Sequence, residues 1–508
     1  MIRYVDTRSQ LESPLSFTQV VLQGLAPGGG LFVPERLPEL SLADLVQLSR
    51  LPYWEKASLI FNLFEPDLPA GTVSQVARSA YGTNFAHPDI APLVRVGDRY
   101  VLELWHGPTL AFKDLALQCM PLFFSAALER ALPQGLSCSD FLILVATSGD
   151  TGAAALSGFA NQLHTKIAVC YPSGGVSPLQ ERQMTTQPGE NVIVFGVKGD
   201  FDACQRAVKE AFNDQEFARE LATNYNLRLS SANSINWGRL LPQVVYYVAA
   251  YSALVAQGAV ALGDPVDVCV PTGNFGNILA AYYAKRLGVP LARLICASNA
   301  NNVLAEFLSK GTYDISCRTL VKTPSPSMDI LVSSNLERLL FEATRDGEQV
   351  RHWMEELRAK SKFTVDTQTF SQIRQSFTGG WVDNATCLKT IATLYREQGY
   401  LMDPHTAVAW RVADQLQEER PLIVVSTAHW SKFPADVTRA LLGLAPEQPL
   451  DADELMLLDR VTSLAPGQTV PPALRSVLSR PVRFNNRVEG TGEALKQALR
   501  TWLASRHG

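Results

Sequence analysis

Short apolar runs that alternate with helical stretches constrain this chain more than any other feature of its sequence. FLILVAT (141–147) ends in Ser148-Gly149-Asp150-Thr151-Gly152 and is followed by the alanine-rich AAALSGFANQ. KIAVCYP leads through Ser173-Gly174-Gly175 to SPLQERQMTT, and NVIVFGVKG leads to FDACQRAVKEAF. PVDVCVP ends in Thr272-Gly273-Asn274-Phe275-Gly276-Asn277 and opens ILAAYYAKRLG; ARLICAS and, from Pro421, PLIVVSTA follow. Strands that are apolar along their whole length are covered on both faces, so the pattern predicts an α/β protein with parallel sheets. Ligands of such sheets sit beyond the carboxyl ends of the strands, where the glycine-rich turns fall.

The chain is long enough, at 508 residues, for two or three domains. Residues 1–85 read as a small helical N-terminal domain, marked by the Pro/Gly punctuation of LAPGGGLFVPERLPEL. Residues 86–240 read as a smaller α/β domain, and 241–508 as a larger one with a helical insertion at about 300–400 and a C-terminal tail.

Composition excludes several classes. With 46% apolar and 19% charged residues the chain is not disordered, and a net charge of −4 leaves no basic excess for nucleic-acid phosphates. Eight cysteines form no Cys-x-x-Cys pair, and several lie in apolar runs, such as Cys170 and Cys269. This suits reduced, buried thiols in the cytoplasm better than disulfides or zinc. The first residues carry Arg3, Asp6 and Arg8 and lack an apolar signal core. Leu240–Gly263 is uncharged, but Pro242, Gln243 and Gln257 interrupt it between βα patterns. It reads as a buried helix or subunit contact, with no membrane span.

Four segments bear chemistry. In His106-Gly107-Pro108-Thr109-Leu110-Ala111-Phe112-Lys113-Asp114 a lysine stands immediately before a helical stretch. Burial and a helix N-terminus both disfavour its charged form, as a Schiff-base lysine requires; the alternative is a lysine capping a surface helix. The loop 272–277 offers backbone amides at a helix start, either as a phosphate cradle or as a mere tight turn. It is neither a Walker loop nor a Gly-x-Gly-x-x-Gly fingerprint. Ser148, Gly149, Asp150 and Thr151 suit a substrate carboxylate or an ordinary helix cap. NSINWGR (233–239) puts two amides, among them Asn236, a hydroxyl and a guanidinium within a few residues; Arg239 suits a substrate phosphate, although a lone arginine also serves in surface ion pairs. Thr427 follows a strand and faces the same crevice. His106, His405 and His429 are acid/base candidates without metal-like spacing, the last two in loops, and no Gly-x-Ser-x-Gly elbow supports a hydrolase.

Taken together, HGPTLAFKD, SGDTG and GNFGN resemble the threonine synthases, and the likeness extends through YVDTR, LAPGGGLFVPE, NSINWGR, PSMDILVSSNLERL, DPHTAVA and STAHWSKFP. The PSMDILVSSNLERL segment resembles the longer, bacterial and fungal type. The resemblance implies a tryptophan-synthase-β-like fold with pyridoxal 5′-phosphate as cofactor. It implies Lys113 as the Schiff-base lysine and Gly273, Asn274, Phe275, Gly276 and Asn277 at the cofactor phosphate. Thr427 would face the pyridine nitrogen, and Ser148, Gly149, Asp150 and Thr151 the substrate carboxylate. Asn236 and Arg239 are weaker assignments for the phosphate of O-phospho-L-homoserine, which would be converted with water to L-threonine and phosphate. A monomer or homodimer is expected, with neither nucleic acid nor membrane as partner. The family's Ser-Thr-Arg reads Asp6-Thr7-Arg8 here, and its His-Pro-Ala-Lys-Phe reads His429-Trp430-Ser431-Lys432-Phe433. Rival readings are a dehydratase of the same cofactor class and a non-catalytic amino-acid-binding homologue.

Overall fold

Strand pairing, rather than order along the chain, decides how this protein is built. A computed structural model describes residues 1–134, 138, 140–416 and 420–506. Its strands, in chain order, are β1 (Tyr4–Asp6), β2 (Phe32–Pro34), β3 (Leu93–Val96), β4 (Arg99–Glu103), β5 (Asp140–Ala146), β6 (Thr165–Pro172), β7 (Val192–Val197) and β8 (Leu227–Ser230). They continue with β9 (Val266–Pro271), β10 (Leu291–Ser298), β11 (Thr312–Asp314), β12 (Lys362–Thr364), β13 (Phe377–Trp381), β14 (Leu422–Ser426) and β15 (Asn486–Val488).

One sheet has five parallel strands in the order β15-β7-β6-β5-β8. The other has six, in the order β13-β10-β9-β14-β4-β3, parallel except where β3 turns back on β4. The interior strands β5, β6, β9 and β14 are buried nearly throughout, as the unbroken apolar runs require. Helix starts are set by local chemistry: Ser177 and Gln180 form a reciprocal capping box, and Asp200, Asp383 and Asp403 each accept a bond from a backbone amide of the first turn.

The linear boundaries expected at 86–240 and 241–508 do not follow the sheets. β3 and β4 belong to the six-stranded sheet, and β15, from the C-terminal tail, completes the five-stranded one. The stretch 300–400 is not purely a helical insertion, because β13 forms the edge of the six-stranded sheet. The reason is physical: a strand can add to any open sheet edge, whatever its distance along the chain, and β3, β13 and β15 each occupy such an edge. β4 thereby lies beside β14, and their carboxyl ends deliver Lys113 and Thr427 to one place.

The N-terminal residues are helical with a short antiparallel pair, β1 with β2, and they pack onto the rest of the chain. Tyr4 meets the Trp237 ring at 5.6 Å and Phe17 meets Phe123 at 5.2 Å between centroids. The variant Asp6 is put to structural use, since Oδ1 accepts from the Arg8 amide and Oδ2 from those of Gln10 and Leu11. Of the uncharged stretch, residues 240–256 lie in the helix Trp237–Ala256, buried along most of its length within the core, and 257–263 follow it as turn. Among the described residues no helix is long and apolar enough to cross a membrane.

Candidate active site

A cavity of about 330 Å³ opens where the carboxyl ends of both sheets converge. Its wall includes Lys113, Ser148, Asp150, Thr151, Arg239, the loop 272–277, Ser327, His405 and Thr427.

Lys113 begins a short helix, Lys113–Leu117. The segment before it is tied to the end of β14: the Phe112 amide donates to Thr427 O at 2.8 Å, and the His429 amide to Leu110 O at 3.1 Å. Asp114, wholly buried, accepts from the Thr109 amide at 2.8 Å and its hydroxyl at 2.6 Å. A Cβ on Gly107 would stand 2.4 Å from Asp114 Cβ, which explains the glycine in HGPT. Burial draws the Lys113 amine down to about 8; nearby Asp150 opposes this, and Arg239 and Lys432 add to it.

Asp150 is the electrostatic centre. Its Oδ1 accepts from Lys432 Nζ at 2.9 Å and Gln180 Nε2 at 3.0 Å. Its Oδ2 accepts from Ser327 Oγ at 3.0 Å and lies 3.7 Å from Lys113 Nζ. Burial alone would raise this carboxyl, but Lys432 and Lys113 outweigh it and hold Asp150 well below the usual carboxylate range. Ser327 is itself fixed by His405, whose Nε2 accepts from the Ser327 amide at 3.2 Å while Nδ1 contacts Asp403 at 2.6 Å.

The loop 272–277 turns through Phe275 at φ +62° into the twelve-residue helix Gly276–Leu287, which directs its positive N-terminal end at the cavity. Its carbonyls are held from outside: Ser333 Oγ donates to Gly273 O at 2.8 Å and Asn335 Nδ2 to Asn274 O at 3.1 Å. A Cβ on Gly273 would stand 2.9 Å from Ser327 O, so glycine is needed for that close approach.

Residues 89–427 match the family described as pyridoxal-phosphate dependent enzyme, 3–81 the threonine synthase N terminus, and 406–498 the threonine synthase C-terminal family. The chain belongs to the threonine synthase family. Threonine synthase of Pseudomonas aeruginosa is 39% identical over 92% of this chain and 96% of its own length. Human threonine synthase-like 1 is 44% identical over 89% of this chain, which spans 61% of that longer protein. Among solved structures, PLP-bound threonine synthase from Brucella melitensis superposes with a TM-score of 0.85 at 36% identity, covering 99% of both chains. The yeast threonine synthase structure gives 0.85 at 34% identity, again over 99% of both.

Pyridoxal phosphate is the cofactor of this threonine synthase family, and the cavity suits it. An amine of lowered basicity faces a helix N-terminus. Two buried donors, Asn277 Nδ2 and Arg239 Nε, have no hydrogen-bond partner among the described residues and belong to side chains of the cavity wall. Unmatched buried donors of this kind call for an anion.

Of the residues singled out from sequence, Lys113, Ser148, Asp150, Thr151, Arg239, Thr427 and all of 273–277 line this cavity. Gly149 is not on the wall; at φ +136° it makes the turn, where a Cβ would stand 2.5 Å from the Gln180 side chain. Asn236 is a correction. Its side chain caps the helix Trp237–Ala256, accepting from the Gly238 amide at 2.9 Å and donating to Val21 O at 3.0 Å, so it is spent on structure. Arg239 is no surface ion pair: it is buried, and Nη1 donates to Ala232 O at 2.9 Å. His405 lies in the first turn of the helix Pro404–Gln415 rather than in a loop. His429 is held neutral, burial pushing it down to about 3. Sequence reasoning did not assign roles to Lys432 and Ser327, although both lie in segments that carry the family likeness, STAHWSKFP and PSMDILVSSNLERL.

Proposed function

We propose that this protein is a threonine synthase, a PLP-dependent carbon–oxygen lyase acting on phosphates. It converts O-phospho-L-homoserine and water to L-threonine and phosphate in the cytoplasm, as a monomer or homodimer. The observation that carries the reading is the Lys113 amine, buried between the two sheets with its pKa drawn down to about 8, in reach of Ser327 and Asp150. A lysine that sheds its proton near pH 8, rather than above about pH 10, serves more readily as nucleophile and as base.

When bound, the cofactor supplies an electron sink for the pairs left on substrate carbon. Gly273, Asn274, Phe275, Gly276 and Asn277 would hold its phosphate at the helix N-terminus, and the Thr427 hydroxyl would serve its ring nitrogen. A neutral hydroxyl there, unlike a carboxylate, stabilises a protonated ring only weakly. Ser148 and Thr151, at the start of the helix Asp150–Phe159, receive the substrate carboxylate, and Arg239 turns its unpartnered Nε toward the substrate phosphate. Lys113 Nζ takes the Cα proton; Cβ is deprotonated next, phosphate leaves from Cγ, a proton returns to Cγ to make the methyl group, the hydroxyl of water adds at Cβ, and a last proton returns to Cα. Asp150, kept anionic by Lys432, stabilises Lys113 while it carries a proton. Ser327, hydrogen-bonded to both, keeps the lysine and the carboxylate in register.

The test is product analysis with O-phospho-L-homoserine, L-serine and L-threonine. The reading expects phosphate and threonine from the first and little ammonia from the others. Ammonia from serine with no threonine from the phosphoester would make the protein a dehydratase.

A further inference from the structure

Tyr246 and Tyr247, consecutive residues of the buried helix Trp237–Ala256, share one acceptor: Asn277 Oδ1 lies 2.6 Å from each hydroxyl. Burial pushes both phenols well above their usual ionisation range, so each keeps its proton and acts as a donor. The other end of the same amide, Asn277 Nδ2, is buried without a partner among the described residues, and Asn277 lines the cavity.

The distances decide which way round the amide stands. Contacts of 2.6 Å are O–H···O lengths, shorter than N–H···O bonds usually are. Reversing the amide would leave Tyr247 without its acceptor, whereas Tyr246 would still have Gln243 Oε1 at 3.2 Å. It would also put an oxygen lone pair, instead of two N–H groups, where the unpartnered Nδ2 now stands. Only an uncharged amide meets both demands at this position, accepting from two hydroxyls on one side and donating to an anion on the other. A carboxylate would satisfy the tyrosines and repel the anion.

We propose that Tyr246 and Tyr247 are positioning residues: by occupying Asn277 Oδ1 they aim the Nδ2 hydrogens into the cavity as fixed donors for the phosphate of the bound cofactor. This rests on the reading above, in which Asn277 belongs to the phosphate cradle. The tyrosines touch neither cofactor nor substrate; they remove the choice of amide orientation in advance, so no ordering cost falls on binding.

The test is titration of apoprotein with pyridoxal phosphate, followed by absorbance, together with the ³¹P resonance of the bound cofactor. Wild type, Tyr246→Phe/Tyr247→Phe, Asn277→Ala and the triple variant are compared. The double phenylalanine variant is expected to bind the cofactor roughly tenfold more weakly, the scale of one hydrogen bond, and to shift the ³¹P line. In the Asn277→Ala background the same two substitutions are expected to cost nothing further. Wild-type affinity in the double variant, or equal weakening with and without Asn277, would overturn the proposal. Tyr247→Phe alone, which keeps one donor, serves if the double variant does not fold, and is expected to show the same dependence on Asn277. A wild-type protein that took up no cofactor would overturn the functional reading itself.

Discussion

Lys432 Nζ stands 2.9 Å from Asp150 Oδ1, and both side chains are shut away from solvent. The pair bridges the end of β14 and the helix after β5, and so joins the two sheets at the cavity. Lys432 also donates to Thr109 O at 2.8 Å and Gln183 Oε1 at 2.9 Å, so the ammonium is fully engaged. A buried pair stripped of one partner leaves a desolvated charge behind, at a cost of about 3–5 kcal/mol. Lys432→Met is therefore expected to lower the denaturation midpoint sharply. An unchanged midpoint would contradict the central place given to this pair.

The Lys113 amine, lowered by burial to about 8, implies a pH dependence. Below that pH the folded apoprotein holds an ammonium, which is no nucleophile; above it the free amine predominates. Cofactor uptake by apoprotein is expected to rise with a midpoint near pH 8 and then level off. A rate still climbing at about pH 10 would mean an ordinary solvated lysine.

Asn236 separates a structural role from a functional one. Its capping bond to the Gly238 amide and its bond to Val21 O predict that Asn236→Ala loses about 1–2 kcal/mol of stability. The KM for O-phospho-L-homoserine should stay as it is, whereas Arg239→Gln should raise it. A large KM effect from Asn236→Ala, at intact stability, would return this residue to the substrate.

Away from the cavity, Glu454 is pushed by burial up to about 7, with Asp436 and Asp453 adding to it, and its Oε2 has no partner among the described residues. A carboxyl raised on folding binds a proton in the native state where the unfolded chain has already lost it. The native state therefore loses stability from this group as pH rises from about 4.5 to about 7. Glu454→Gln is expected to raise the melting temperature at pH 8 and to change it little at pH 5. The opposite order would show that Glu454 is ion-paired.

Much of the site was legible because glycine-rich turns at strand ends are local signals. The loops 148–152 and 272–277 and the pre-helical Lys113 each announce themselves within a few residues. What was not legible depends on pairing across the chain. Nothing local marks β4 as the neighbour of β14, or β15 as the edge of the five-stranded sheet. Nothing local gives Lys432 or Ser327 a role, and only packing brings both to Asp150. Asn236, placed at the substrate phosphate by the family likeness, has its side chain engaged as a helix cap, a role that an amide fills well.

The most direct test of the account is borohydride reduction of the holoprotein followed by peptide mapping. The cofactor is expected on Lys113 alone, with the visible absorbance band and threonine formation both lost in Lys113→Ala. A label on another lysine, or turnover retained without Lys113, would contradict the account.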